Sequence, residues 1–236
     1  MTLENAFKII FPCSIVLLGT WFFYPFELSP TEHRAYLSAY FTTIKLTSFG
    51  LLIGVVLGFL LAFLLYLRVR IIELLINEYL DLMRGLPITI LLFIFAFVIF
   101  VRVDDSFYVA MLALGLNSSA YVAEIVRAGI GSVDKGQMEA ARAMGLGYSA
   151  SMRYVVFPQA LKNVAPALAN EFISLFKETS VVAFISVVDL TFQSKVFQAV
   201  LYDPKPFIFA GVVYYASVKI FTFFARLLEE RIKRND

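Results

Sequence analysis

The sequence alternates long apolar runs with short polar segments. A helix of roughly 17–25 mainly apolar residues is long enough to cross the hydrocarbon core of a bilayer. Runs of about this length occupy residues 7–24, 42–66, 86–102, 107–126, 163–188 and 207–226. A short polar segment separates the third run from the fourth, so these two are expected to form a tight hairpin. The pattern predicts an all-α integral membrane protein with about six transmembrane helices.

Composition agrees with a membrane protein and excludes several other classes. Of the 236 residues, 60% are hydrophobic and 16% are charged, and the mean hydropathy is +0.81. Average soluble domains are roughly 45–50% apolar and about 25% charged. With one cysteine, Cys13, and one histidine, His33, the chain cannot form an intrachain disulfide or a structural zinc site, and no metal site is expected. The net charge of +2 gives no reason to expect nucleic-acid binding.

Lysine and arginine are unevenly distributed between the segments that connect the runs. Short loops rich in these residues favour the cytoplasmic side. With the N-terminus inside, the basic residues of the external segments are Arg34, Arg102, Lys195 and Lys205, and most of the others fall in cytoplasmic segments. The distribution predicts an N-in, C-in orientation. No A-x-A-like site follows the first run, which favours a retained helix over a cleaved signal peptide.

Two further patterns concern helix packing. Gly50, Gly54 and Gly58 lie on one stripe of the second predicted helix, and such small-xxx-small patterns permit close helix contact. In the segment 68–87, the apolar residues that share one helical face are Ile72, Leu75, Ile76, Tyr79 and Leu80. This periodicity predicts an amphipathic helix, either at the membrane surface or as a cytoplasmic extension of a span.

The longest cytoplasmic segment predicts two short helices joined by a glycine turn. Asp134 is expected to cap the first helix, with Gln137 in the capping-box position. Gly145 suits the position that ends this helix. Ser149 is expected to cap the second helix, which then stops at Pro158.

The fifth run carries polar residues at helical spacing. Its stripe consists of Asn163, Pro166, Asn170, Ser174 and Lys177, with Glu171 and Glu178 beside it. Ionisable side chains inside membrane helices usually face protein or a water-filled cavity. The stripe is therefore expected either to line a solute route or gate, or to pair with neighbouring helices as a structural contact. An amino acid needs an acceptor for its ammonium group and a donor for its carboxylate, and Glu171 and Lys177 would supply both.

The fourth run repeats this pattern more weakly. Asn117 and Tyr121 share a helical face, and both are added to the candidate solute route. Glu124 lies on the same face near the cytoplasmic end, three residues before Arg127. We expect these two to pair with each other.

The cytoplasmic segment also resembles a known motif. It is similar to the EAA loop, E-A-A-x3-G-x9-I-x-L-P, of permeases from ATP-binding-cassette (ABC) importers. The matching residues are Glu139, Ala140, Ala141, Gly145, Val155, Phe157 and Pro158. Val155 and Phe157 depart from the commonest residues but keep the apolar character.

The resemblance extends beyond this loop. The sequence RGLP at 84–87 resembles the R-G-T-P element of the polar amino acid permease branch, which serves histidine, glutamine, arginine or glutamate, with Leu86 in place of threonine. The segments 120–147 and 157–180 also resemble that branch, and similarity covers roughly residues 40–225. The resemblance implies the transmembrane fold of a type I ABC importer.

The resemblance also implies a domain organisation and a coupling site. We expect an N-terminal helix and external loop at 1–40, a transmembrane core at 41–226 and a cytoplasmic tail at 227–236. The coupling loop spans about residues 134–158. By resemblance, it docks on an ATP-hydrolysing subunit through Glu139, Ala140, Ala141 and Gly145.

A function and a set of partners follow from the same resemblance. The expected protein is the non-catalytic permease subunit of an importer that carries polar amino acids across a bacterial cytoplasmic membrane by alternating access. Its expected partners are a second identical or homologous permease chain, two ATP-binding subunits and an extracytoplasmic amino-acid-binding protein. No G-x-x-x-x-G-K-[ST] phosphate loop is present, so no cofactor is expected on this chain, and ATP and Mg²⁺ are expected on the partner subunits.

A second hypothesis is an autonomous channel or an ion-coupled secondary transporter for a small polar solute. Such a protein would need its own energy coupling through an acid inside the membrane. Glu171 is the available candidate.

Overall fold

The computed structural model describes residues 3–234, and every regular element in this range is helical. The α-helices are α1 (Leu3–Phe23), α2 (Pro30–Tyr66), α3 (Arg70–Gly85), α4 (Ile88–Ile94), α5 (Ser106–Gly131), α6 (Lys135–Ala143), α7 (Tyr148–Ser151), α8 (Phe157–Glu178), α9 (Leu190–Leu201) and α10 (Lys205–Lys233). Two π-helical segments, Phe95–Ile99 and Met152–Val156, and one 3₁₀ segment, Thr179–Ile185, extend them. The first two residues of the expected N-terminal unit and the last two of the expected tail lie outside the described residues.

All six apolar runs coincide with helical elements, but they differ in length and apolarity. Three helices are long and apolar enough to cross a membrane: α2, α5 and α10. The pair formed by α3 and the segment Ile88–Ile99 makes a fourth candidate, although it is bent by 108°. Helix α1 contributes the shorter apolar stretch Ile10–Phe23. The all-helical membrane architecture is therefore confirmed, whereas the six crossings and the N-in, C-in orientation stay predictions.

Helix α2 begins much earlier than the hydrophobic run predicts. It starts at Pro30 rather than near residue 42. Ser29 accepts a hydrogen bond from the backbone N–H of Glu32, and the Glu32 carboxylate accepts one from the Ser29 N–H at 2.7 Å. This capping box stabilises a polar first turn, which a search for apolar runs overlooks.

The predicted amphipathic helix corresponds to α3, and its buried face is only partly the predicted one. Ile76, Leu80 and Met83 are buried against the core. Leu75, which was expected on the same face, is 66% exposed. At 3.6 residues per turn, Leu75 lies about 100° around the helix from Ile76, outside the face that Ile76, Leu80 and Met83 share.

Helices α2 and α5 pack closely along the glycine stripe. A Cβ atom added at Gly54 would lie 2.8 Å from the Cβ atom of Ser118. At Gly58, an added Cβ atom would lie 2.6 Å from the Cβ atom of Val122. Real Cβ atoms do not approach this closely, so the packing requires glycine at both positions. The predicted close helix contact is confirmed.

Helix α9, which no apolar run predicts, lies near the predicted external end of α2. Helix α9 begins after Asp189, whose buried carboxylate accepts the backbone N–H of Phe192 at 2.8 Å. The N–H of Leu190 donates to Thr43 Oγ1 of α2 at 3.1 Å. Helix α9 is therefore attached to α2 by a buried hydrogen bond.

We expect Gly58→Ala to weaken the packing of α2 on α5. The added methyl group would also lie 2.9 Å from the backbone nitrogen of Ala123, which a side-chain rotation cannot relieve. Overpacking of this kind costs about 1–3 kcal/mol. The thermal unfolding midpoint of the purified protein in detergent should fall. The matched control is Gly211→Ala on α10, where an added Cβ atom meets nothing within 4 Å; equal midpoints for both variants would contradict the close-packing explanation.

Candidate functional site

The loop that joins α5 to α8 begins with a capped helix. The Asp134 carboxylate accepts the backbone N–H of Gly136 at 2.6 Å, which confirms the predicted N-cap of α6. The predicted capping-box role of Gln137 is not observed. Its Oε1 atom instead accepts a hydrogen bond from Gln159 Nε2 at 3.2 Å. The hydrogen bond from Gln159 of α8 therefore occupies the side chain that the capping box would use.

Helix α6 ends in a Schellman motif at Gly145. The N–H of Leu146 donates to the carbonyl of Ala141 at 3.2 Å, and the N–H of Gly145 donates to the carbonyl of Arg142 at 3.0 Å. Gly145 has φ +89°, in the left-handed region that favours glycine. The predicted end of the helix is confirmed. The motif turns the chain sharply and exposes the tip of the loop.

The second predicted helix differs from the expectation at both ends. Its N-cap is Gly147 rather than Ser149. It does not stop at Pro158, because the π-helical segment leads directly into α8 and Pro158 lies in the first turn of α8. Proline is tolerated in a first helical turn, where its missing N–H costs no helical hydrogen bond.

The four expected coupling residues are not equally accessible. Glu139, Ala140 and Gly145 are exposed, and Ala141 is buried. The neighbouring Met144 is 84% exposed. Ala141 therefore packs the helix onto the protein, while the other three residues form a free surface at the tip of the loop.

Side-chain contacts attach this loop to the helices around it. Asn163 Nδ2 of α8 donates to Ser132 Oγ, just after α5, at 2.8 Å. Tyr66 at the end of α2 and Tyr148 at the start of α7 share a hydrogen bond between their hydroxyl groups. Sequence reasoning missed the two tyrosines, because residues so far apart in the chain give no local signal of contact.

The polar stripe of α8 lies along a face that this chain does not cover completely. Asn163, Asn170 and Lys177 are exposed, whereas Pro166 and Ser174 are half-buried. The exposed residues recur every seven positions, which corresponds to about two helical turns. They therefore line one continuous edge of the helix.

Two carboxylates lie beside this edge. Glu171 is half-buried, and its Oε1 atom accepts a hydrogen bond from Ser118 Oγ of α5 at 2.7 Å. Glu178, one residue beyond Lys177, is also half-buried. Tyr121, which is 38% exposed, lies within electrostatic range of Glu171, Glu178 and Arg84. The structure thus gathers acidic, basic and phenolic groups between α5 and α8.

Asn117 has a different environment from the other candidate route residues. Its side chain is buried, and its Nδ2 atom donates to the backbone carbonyl of Met83 on α3 at 2.7 Å. This contact packs α3 against α5, and the burial does not support a solute-lining role. Nearby, Glu124 pairs with Arg127, which confirms the predicted ion pair.

Comparison with known proteins identifies the family. The model of the family described as the binding-protein-dependent transport system inner membrane component matches residues 54–234. This range is well over half of the chain. The chain belongs to this family. It is therefore a multi-pass permease of the inner membrane, and the alternative of an autonomous channel or ion-coupled transporter is set aside.

The permease is similar to curated proteins along most of its length. It is 41% identical over 162 residues to the arginine transport system permease protein ArtQ of Bacillus subtilis (strain 168), covering 67% of this chain and 74% of ArtQ. It is 37% identical over 210 residues to the L-cystine transport system permease protein TcyL of the same strain, covering 84% of this chain and 88% of TcyL.

Solved structures show the same fold. An amino acid ABC transporter crystallised with histidines contains a chain that is 38% identical to the permease, with a TM-score of 0.81 and coverage of 84% of this chain and 94% of that chain. The MetNI methionine ABC transporter has an inward-facing chain with a TM-score of 0.76 and 19% identity, covering 87% of this chain and 99% of that chain. The permease therefore has the transmembrane fold of a type I ABC importer, a class that works with ATP-binding subunits and permease partners.

We expect Gly145→Ala to destabilise the tip of the loop in the permease. Nothing lies within 4 Å of an added Cβ atom at this position, so the penalty comes from the left-handed backbone alone. That penalty is roughly 1–2 kcal/mol, which corresponds to about a 5–30-fold change in a local opening equilibrium. Hydrogen exchange of the Leu146 amide should accelerate by a similar factor.

The control for this experiment is Gly131→Ala. An added Cβ atom there also meets nothing within 4 Å, and Gly131 does not have a positive φ. If both variants left exchange of the loop unchanged, the backbone of Gly145 would not be what stabilises the turn.

Proposed function

We propose that the permease carries a polar amino acid across the inner membrane by alternating access in an ATP-driven importer. A second permease chain pairs with it, two ATP-binding subunits dock on the cytoplasmic side, and an extracytoplasmic binding protein delivers the amino acid. ATP and Mg²⁺ bind to the ATP-binding subunits. The names of the relatives, which include arginine, L-cystine and glutamine permeases, support an amino acid as substrate.

The observation that carries this proposal is the exposed tip of the loop between α5 and α8. Glu139, Ala140 and Gly145 are free to contact another subunit, and the Schellman motif fixes the backbone between them. The small side chain of Ala140 lets a partner approach the helix closely. Helix α5 ends at this loop and α8 begins after it, so a force on the tip is transmitted directly to both.

The polar groups between α5 and α8 supply a route for an amino acid. In this proposal Glu171 and Glu178 accept the ammonium group, and Lys177, Asn170 and Asn163 interact with the carboxylate. Ser174 and Tyr121 complete the lining by donating hydroxyl hydrogen bonds. Asn117 is left out because its amide is buried against Met83.

We expect Glu139→Ala to abolish substrate-stimulated ATPase activity of the assembled complex. The substitution removes the carboxylate that contacts the docked subunit in this proposal, and hydrogen bonds to charged groups contribute about 1.5–3 kcal/mol. Stimulated activity should fall to the basal rate while membrane insertion stays normal. Lys135→Ala, an exposed change on the same helix, is the control. Full stimulation in the Glu139 variant would refute the docking role of this residue.

We expect Glu171→Gln to raise the KM for amino acid uptake about tenfold, which corresponds to about 1.4 kcal/mol. The amide oxygen still accepts the Ser118 hydrogen bond, so the contact between α5 and α8 survives while the negative charge is lost. The measurement is uptake of a panel of radiolabelled amino acids by the reconstituted complex with its binding protein. Ser118→Ala, which removes the bond but keeps the charge, should lower stability and leave KM unchanged. An unchanged KM in Glu171→Gln would make the Glu171 contact purely structural.

A further inference from the structure

Two tyrosines that are not among the matching residues of the EAA motif join the cytoplasmic end of α2 to the coupling loop. The rings of Tyr66 and Tyr148 are nearly parallel, with an interplanar angle of 5° and centroids 6.1 Å apart. Their hydroxyl groups are hydrogen-bonded to each other. Tyr66 is the last residue of α2, and Tyr148 is the first residue of α7, three positions after Gly145. The segment just beyond the exposed tip is therefore held by α2.

Near its other end, α2 contacts α9 and the start of α10. Thr43 Oγ1 accepts the N–H of Leu190, the first residue of α9. The Tyr36 hydroxyl donates to the carbonyl of Pro206 at 3.1 Å and lies 3.0 Å from the hydroxyl oxygen of Ser194 on α9. Thr43, Tyr36 and Ser194 are all buried. Helix α2 therefore contacts both the coupling loop and α9.

Helix α2 can move as a rigid body between these two contacts. It is continuous from Pro30 to Tyr66. Thr43 and Tyr66 are 23 positions apart, a distance of about 35 Å along a helix that rises 1.5 Å per residue. The close contacts of Gly54 and Gly58 attach the middle of α2 to α5, which leads into the coupling loop. Bending between the two ends would break this packing.

We propose that α2 is a rigid link that transmits movement of the coupling loop to α9. The Tyr66–Tyr148 contact is its inner joint, and the Thr43–Leu190 hydrogen bond is its outer joint. This inference deepens the proposed function and rests on it. When a docked subunit pulls the loop, Tyr148 moves with the loop and displaces Tyr66, and Thr43 then shifts the start of α9. The competing path runs along the chain through α8 and the 3₁₀ segment and does not need the tyrosines.

The inner joint is tested in the whole complex reconstituted into proteoliposomes. The measured quantity is the number of amino acid molecules taken up per ATP hydrolysed, with the radiolabelled amino acid that the unmodified complex transports fastest. We expect Tyr66→Ala or Tyr148→Ala to lower this ratio about fivefold or more. Coupling between distant sites travels through a chain of packed contacts, and each variant breaks one contact of that chain. Phe63→Ala, one turn away on α2 at a 61% exposed position, is the control and should leave the ratio unchanged.

The Tyr→Phe variants separate the hydrogen bond from the stacked rings. Tyr66→Phe and Tyr148→Phe each delete one hydroxyl group and should lower the ratio less than the alanine variants. Because both remove the same bond, the double variant should resemble either single variant. Additive losses would show that the hydroxyl groups act independently, and this would overturn the inner joint.

The outer joint is tested at Thr43. Thr43→Val replaces the hydroxyl that accepts the Leu190 N–H with a methyl group of similar size, and Thr43→Ser keeps the hydroxyl. Valine should lower the ratio as the tyrosine variants do, and serine should preserve it. A lower unfolding midpoint with an unchanged ratio would show a purely structural contact and would overturn the link.

A second measurement does not depend on the identity of the substrate. Lys195 is exposed on α9, so Lys195→Cys in a Cys13→Ser background provides a site for a membrane-impermeant maleimide. Labelling should change when ATP and vanadate are added, and Tyr66→Ala should remove that change. A nucleotide response that persists in Tyr66→Ala, or that is absent from the parent, overturns the link. Absence of uptake for every amino acid, with the labelling response intact, would instead contradict the proposed substrate class.

Discussion

The close approach of α2 and α5 is the constraint on which the rest of the arrangement depends. Inside a bilayer, lipid tails are as apolar as the helices, so association relies on shape and on hydrogen bonds. Gly54 supplies the shape, because it lets Ser118 lie against the backbone of α2. Once α5 is fixed, Ser118 can reach Glu171 on α8, and the preceding Asn117 can reach α3. Helices on two sides of α5 are therefore positioned by residues next to the glycine contact.

Hydrogen-bond satisfaction explains why polar residues can lie so deep in this protein. An unpartnered polar group in the hydrocarbon region costs several kcal/mol. Among the residues that the structure describes, no buried side-chain nitrogen or oxygen lacks a hydrogen-bond partner. Thr43, for example, donates to the Ala39 carbonyl and accepts the Leu190 N–H. Polar contacts thus specify which helices meet, while the half-buried Glu171 remains reachable from the open face of α8.

Local hydrophobic patterns and turn residues predicted most of the helices, whereas a polar helix cap, a π-helical segment and a distant side-chain contact were missed. Apolar runs located most of the helices, and the Gly145 turn followed from its position at the end of α6. The start of α2 was missed because Ser29 and Glu32 form a polar cap, which carries no hydrophobic signal. The expected stop at Pro158 was wrong because the π-helical segment shifts the hydrogen-bond register before the proline. The Tyr66–Tyr148 contact joins residues 82 positions apart and produces no periodic pattern in the sequence.

The coupling loop and the polar face are mechanically connected through α5. The loop begins where α5 ends, and Ser118 of the same helix holds Glu171 beside the exposed edge of α8. Asn163 ties that edge to Ser132 at the start of the loop. In the proposed mechanism, a displacement of the loop would move Asn163 and Glu171 together, since hydrogen-bonded elements with close packing shift together and do not deform gradually. Binding of a solute at Glu171 and docking of a subunit at Glu139 would then bias the same movement, which links the two sites energetically.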